Sequence, residues 1–217
     1  MPLVLHCIDG SPPNRAVYLC LKALGLEATK KTVNLFKMEH HNPEFLKLNP
    51  QHTTPTLEDD DFVIWDSHAI CCYLVNKYAK DDSLYPTDPH KRAIVDQRLH
   101  FNSGFLFPRF FNISFPLIFL KCKEISEEKQ KAVKEGFAFL EKFLEGNDYL
   151  AGPSYTLADI CCVATVSTLV EGLRCSVDSY PNVQAWMKRC RENLPGYAEV
   201  NQPGLDAYKR AADRELD

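Results

Sequence analysis

The residues Ser11-Pro12-Pro13-Asn14-Arg15-Ala16 place a hydroxyl at the mouth of an expected helix, directly after a short apolar strand of Leu3, Val4 and Leu5. Pro12 and Pro13 suit the first helical turn, where a missing N–H costs nothing. Val17, Leu21 and Leu24 follow at helical spacing, and Gly25 stands where a helix C-cap glycine belongs. The Ser11 hydroxyl then has two uses. It can cap the helix. It can also aim its O–H at an anion held over the helix N-terminus, where the backbone dipole already favours negative charge.

The elements that would position such a serine follow over the next seventy residues. Asn49-Pro50-Gln51-His52-Thr53-Thr54-Pro55-Thr56-Leu57 leads into a strand, and Phe62-Val63-Ile64-Trp65 forms another, with Asp59-Asp60-Asp61 as the turn between them. Asp66-Ser67-His68-Ala69-Ile70 then opens a helix that carries Ile70, Leu74, Val75 and Tyr78. The order read from the chain is strand, helix, strand, helix, strand, strand, helix. Lys80 to Asp88 is polar and turn-rich, as a linker should be. Beyond it strand signals almost vanish, and helical patterns run over 89–120, 126–145, 156–172, 182–193 and 197–213, with Thr156 and Asp159 spaced as a capping box.

The words SPPNRA, LNPQHTTPTL and DSHAI, in this order and at this spacing, resemble the cytosolic glutathione transferases, the insect epsilon class first and the delta class next. The resemblance spans nearly the whole chain. It implies an α+β two-domain fold: a thioredoxin-like βαβαββα half over 1–80, a linker over 81–88, and an all-helical half over 89–217. It also implies glutathione as co-substrate, no metal, a homodimer and a cytoplasmic setting, with no nucleic-acid or membrane partner.

Glutathione carries a thiol, two carboxylates and one amine. A free thiol titrates at about 8.5, so little of it is the reactive thiolate at neutral pH. A hydroxyl that donates a hydrogen bond to sulfur favours the thiolate. Ser11 is the candidate donor, because the first strand runs into Leu5-His6-Cys7-Ile8 with no tyrosine, the residue the tyrosine-type transferases use there. By the same resemblance His40 and His52 face the glycine end of the tripeptide, with His41 as a surface neighbour. Thr53, Thr54 and Pro55 meet its cysteinyl backbone, the Thr54–Pro55 bond being expected cis. Asp66 faces the γ-glutamyl amine and Ser67 the γ-glutamyl carboxylate. The family pattern has Glu where Asp66 stands, one methylene longer.

A second substrate would sit between the halves. Seven of the thirteen phenylalanines fall between residues 101 and 119, and Phe107, Phe111, Phe115 and Phe119 recur every four residues on one helix face. Pro108 and Pro116 are expected to bend that helix. The pocket set is Pro13, Leu35, Phe107, Phe110, Phe111, Phe115 and Tyr208, with Phe36 and Leu205 at its rim and Phe119 read as core. His68 and His100 are placed near a subunit interface by the resemblance alone.

Composition fits this reading. The chain has 217 residues, 45% hydrophobic and 25% charged, with a net charge of -4 that offers no attraction to nucleic acid or anionic membranes. No signal peptide is evident at the N-terminus, and no apolar run is expected to reach the ~20 residues of a membrane span. Nine cysteines, an odd number, include the adjacent pairs Cys71-Cys72 and Cys161-Cys162, which do not have zinc or redox spacing. They read as reduced, buried thiols. The expected reaction is conjugation of glutathione to an apolar electrophile. A glutathione-dependent isomerase, peroxidase or dehydrochlorinase on the same scaffold stays open, as does a non-catalytic carrier of apolar ligands. A thiol–disulfide transferase is disfavoured, since it would want a cysteine in place of Ser11.

Overall fold

The computed structural model describes residues 2–216. A four-stranded sheet forms first, from β1 (Leu3–Cys7), β2 (Ala28–Thr32), β3 (Thr56–Asp59) and β4 (Phe62–Trp65), in the order β2-β1-β3-β4. β1 and β2 are parallel, while β3 is antiparallel to both β1 and β4. The parallel pair needs a crossover, supplied by α1 (Pro12–Leu24). That helix ends at Gly25, whose left-handed φ of 66° lets the Gly25 and Leu26 N–H groups reach the Lys22 and Leu21 carbonyls. The short helix α2 (Pro43–Leu48) precedes β3, and α3 (Ser67–Tyr78) follows β4. This is the βαβαββα order expected from the sequence.

The second half is helical: α4 (Pro89–Phe101), α5 (Phe107–Leu120), α6 (Glu127–Phe143), α7 (Leu157–Ser167), α8 (Pro181–Asn193) and α9 (Gln202–Leu216). Every residue of α7 is buried, so it is the axis on which α1, α3, α4 and α8 pack. Its start is the capping box foreseen at Thr156 and Asp159. Asp159 does more than cap. Its buried carboxylate also accepts hydrogen bonds from the Leu150 N–H (2.9 Å) and the Trp186 indole (2.9 Å). Burial pushes its titration up, against the pull of those donors.

Three π-helical turns were not foreseen: Asn102–Leu106, Thr168–Gly172 and Tyr197–Asn201. The first divides the expected helix over 89–120, and Pro108 lies just beyond it in the first turn of α5, so the break falls before this proline. Pro116 stays inside α5. Each π turn carries a buried polar side chain that reaches toward the first half. Asn102 Nδ2 meets His68 Nε2 at 3.0 Å, and Thr168 and Asn201 both bond Arg15. The two halves are therefore joined by polar contacts as well as by the apolar packing of α1 on α7.

One expectation needs amendment. The continuous helical run Pro89–Leu120 is 32 residues long, with a mean hydropathy of 1.3 over its most apolar window, and is long and apolar enough to cross a membrane by length and composition alone. Here Val95, Leu99, Leu106, Phe110, Ile113 and Leu117 along it are buried within the fold. All nine cysteines are free, and six of them are buried. Burial drives the thiols of Cys72 and Cys175 up to about 12 and about 11. Cys122 is exposed.

Candidate active site

The sheet register brings the predicted residues to one end. His6 of β1 faces Thr56 of β3, and Thr56 faces Trp65 of β4. The chain therefore leaves β1 toward Ser11, enters β3 through Thr54 and Pro55, and leaves β4 into Asp66 and Ser67, all at the same end of the sheet. The Thr54–Pro55 bond is cis, as expected.

Ser11 is the N-cap residue of α1, with φ −76° and ψ 128°, and its side chain makes no cap hydrogen bond. The capping use of the hydroxyl is thus not taken. One turn along, buried Asn14 donates from Nδ2 to Thr54 Oγ1 at 3.3 Å and so ties the start of α1 to the cis-proline loop. Asn49 braces that loop from within. Its fully buried Nδ2 donates to the Thr53 carbonyl (3.0 Å), Thr53 Oγ1 (3.0 Å) and Thr56 Oγ1 (2.9 Å), while its Oδ1 accepts from the Gln51 N–H (2.9 Å). Sequence reasoning assigned no role to either asparagine. A buried amide inside LNPQHTTP was the available signal.

Asp66 is both helix cap and exposed charge. It sits at a left-handed φ of 73°, and its Oδ1 accepts from the His68 N–H (2.9 Å) and the Ala69 N–H (3.1 Å). The His68 ring 3.6 Å away, together with these donors, holds its carboxyl below the usual range. Asn102 Nδ2 donates to the Cys161 carbonyl (3.2 Å) and lies 3.0 Å from His68 Nε2, which ties this ring to the second half.

His40 and His52 come from separate segments, a 3₁₀ turn at Glu39–His41 and the turn before β3, yet their ring centroids lie 6.0 Å apart. His41 stands between them, 4.3 Å from His40 and 4.4 Å from His52. Burial, then the two neighbouring imidazoles, lowers the His40 titration.

The pocket set divides. Phe110 and Tyr208 are buried against each other, with ring centroids 5.8 Å apart, and the Tyr208 hydroxyl donates to Ser114 Oγ at 2.7 Å. Leu205 is fully buried, while Pro13, Leu35 and Phe107 are half-buried. Phe111, Phe115 and Phe119 are exposed and stack in a column at 5.3 and 5.2 Å. Phe119, read as core, is 38% exposed and stacks at 5.1 Å on Phe36 from the first half. The column thus crosses from α5 to the loop after β2. A cleft of about 450 Å³ lies beside it, lined by Phe111 and Phe115 together with Ser126 and Lys129. No residue of the Ser11 group lines that cleft.

Residues 10–77 match the glutathione S-transferase N-terminal domain and residues 94–193 the glutathione S-transferase C-terminal domain. The chain is 48% identical over 211 residues to glutathione S-transferase 1 of Manduca sexta, covering 96% of each protein. An epsilon-class glutathione S-transferase from the housefly, Musca domestica, has 46% identity and a TM-score of 0.94 over 98% of both chains. A glutathione transferase homologue from Drosophila mojavensis, solved with bound glutathione, has 43% identity and a TM-score of 0.94, over 99% of this chain and 97% of that one.

Proposed function

The chain belongs to the glutathione S-transferase family, and from that premise we propose that Ser11 stabilises the thiolate of bound glutathione for attack on an apolar electrophile. The observation that carries this reading is the Ser11 side chain at the mouth of α1 with no cap bond of its own. The hydroxyl donates to sulfur, the α1 dipole adds its positive end, and the thiolate gains over the thiol. Sulfur then forms a bond to an electrophilic carbon while a leaving group departs with its electron pair, or an activated double bond takes up a proton. Thr54 lines the cysteinyl backbone, held by Asn14, while Asn49 braces its neighbours Thr53 and Thr56. Asp66 and Ser67 take the γ-glutamyl end, and His40 and His52 the glycine end. We place the protein in the cytoplasm as a homodimer, in keeping with its cytosolic-type relatives.

Asp66 offers a clean test, because asparagine caps a helix about as well as aspartate. Asp66→Asn keeps the cap of α3 and removes the charge. The expected result is a melting temperature close to wild type and an affinity for S-hexylglutathione lowered several-fold in calorimetric titration. Affinity retained within twofold would mean that the carboxylate does not reach the amine.

The aromatic column is proposed as the face that receives flat or bulky apolar electrophiles. Phe111 is 47% exposed, so its truncation should cost under about 1 kcal/mol of stability, against the 3–5 kcal/mol of a buried phenylalanine. Phe111→Ala is expected to raise KM for large apolar electrophiles and leave KM for glutathione unchanged. Equal effects on both substrates would remove Phe111 from the electrophile site.

A further inference from the structure

Three imidazoles converge at one point of the first half although the sequence separates them. His40 and His41 are adjacent on the 3₁₀ turn, and His52 lies eleven residues beyond His41 at a left-handed φ of 48°. One ligating nitrogen from each lies within 4.8 Å of the others. A tetrahedral ion with metal–nitrogen bonds of about 2.0–2.1 Å holds its ligands about 3.4 Å apart. Closure therefore asks for no more than about 1.4 Å of movement between any pair, within reach of a side-chain rotation, since His41 and His52 are exposed. His40 Nδ1 is buried and has no hydrogen-bond partner among the described residues. Neutral imidazole is the form that ligates metal, through either ring nitrogen.

We propose that His40, His41 and His52 form a binding site for one divalent transition-metal ion of the zinc, nickel or copper type. Neutral imidazole suits these ions, and the cluster has no carboxylate of the kind that magnesium or calcium requires. Three protein ligands leave one position open for water or an anion. The site goes beyond the functional reading given above, and its occupancy is measured with no glutathione present.

The test is calorimetric titration of the full-length protein, freed of metal, with zinc alone, and a parallel titration with cobalt read by its visible spectrum. The expected result is one ion per chain, a tetrahedral cobalt spectrum without thiolate charge-transfer bands, and no response to magnesium. His41→Ala, which removes a ligand that the functional reading does not use, should weaken zinc at least about tenfold and leave S-hexylglutathione binding as in wild type. Cys122→Ser, which removes the exposed thiol, should leave zinc binding unchanged. Absence of saturable binding, full retention in His41→Ala, or loss in Cys122→Ser would each overturn the proposal.

Discussion

Ser11→Ala is expected to lower kcat by up to about 100-fold, most strongly at the acid end of the pH range, while changing glutathione affinity little. The magnitude follows from the hydrogen bond the hydroxyl would make. A bond to a charged group contributes about 1.5–3 kcal/mol, and 1.36 kcal/mol is one pKa unit. Losing it raises the thiol by about 1–2 units, which cuts the thiolate fraction by at most the same 10–100-fold, and by less where the wild-type thiol is already partly ionised at the working pH. Stability should be nearly unchanged, because Ser11 makes no side-chain cap bond to α1. Steady-state kinetics with both substrates varied separate the outcomes. A rise in KM for glutathione with kcat intact would assign Ser11 to tripeptide positioning instead.

Arg15→Ala is expected to have the largest effect on stability. The guanidinium is fully buried, and among the described residues its hydrogen bonds go to neutral groups. Its Nη1 donates to Asn201 Oδ1 (2.6 Å) and Ser167 Oγ (3.4 Å), and its Nη2 to the Ala164 carbonyl (2.9 Å) and Thr168 Oγ1. Burial lowers its titration to about 10, so it stays charged at neutral pH. These bonds fasten α1 to α7 and to two π turns. Removal leaves Asn201 and the Ala164 carbonyl without this donor and opens a cavity, at a cost of about 3–5 kcal/mol. In a chain of this length that corresponds to a fall of roughly 10 °C in Tm. A change below 1 kcal/mol in a thermal or urea melt would show that the half-to-half junction rests on the apolar packing of α1 and α7.

Much of the frame was legible because its signals are local. Pro12-Pro13 and Gly25 bracket α1, Asp59-Asp60-Asp61 turns the β3–β4 hairpin, and Thr156 with Asp159 starts α7. The end of the sheet that gathers Ser11, Thr54, Asp66 and Ser67 follows from the strand order β2-β1-β3-β4 and its register, which the order of elements along the chain does not state. What escaped was contact at a distance. Arg15 read as a motif letter, and only the packed fold brings it to Thr168 and Asn201. The π turns insert one residue into a helical period, and a hydrophobic pattern with prolines near the break assigns the fault to Pro108. Phe119 read as core because periodicity cannot tell a buried stripe from an exposed one. Its partner, Phe36, comes from another element. The histidines were read one by one, and their convergence depends on a left-handed residue at position 52.

The central claim is that the Ser11 hydroxyl acts on sulfur, and its most direct test is the ultraviolet titration of glutathione bound to wild type and to Ser11→Ala. The account predicts that thiolate absorbance in the wild type develops well below the pH of free glutathione, and that the mutant shifts it upward by about 1–2 units. Superimposable titrations of the two proteins, with glutathione bound in both, would contradict it.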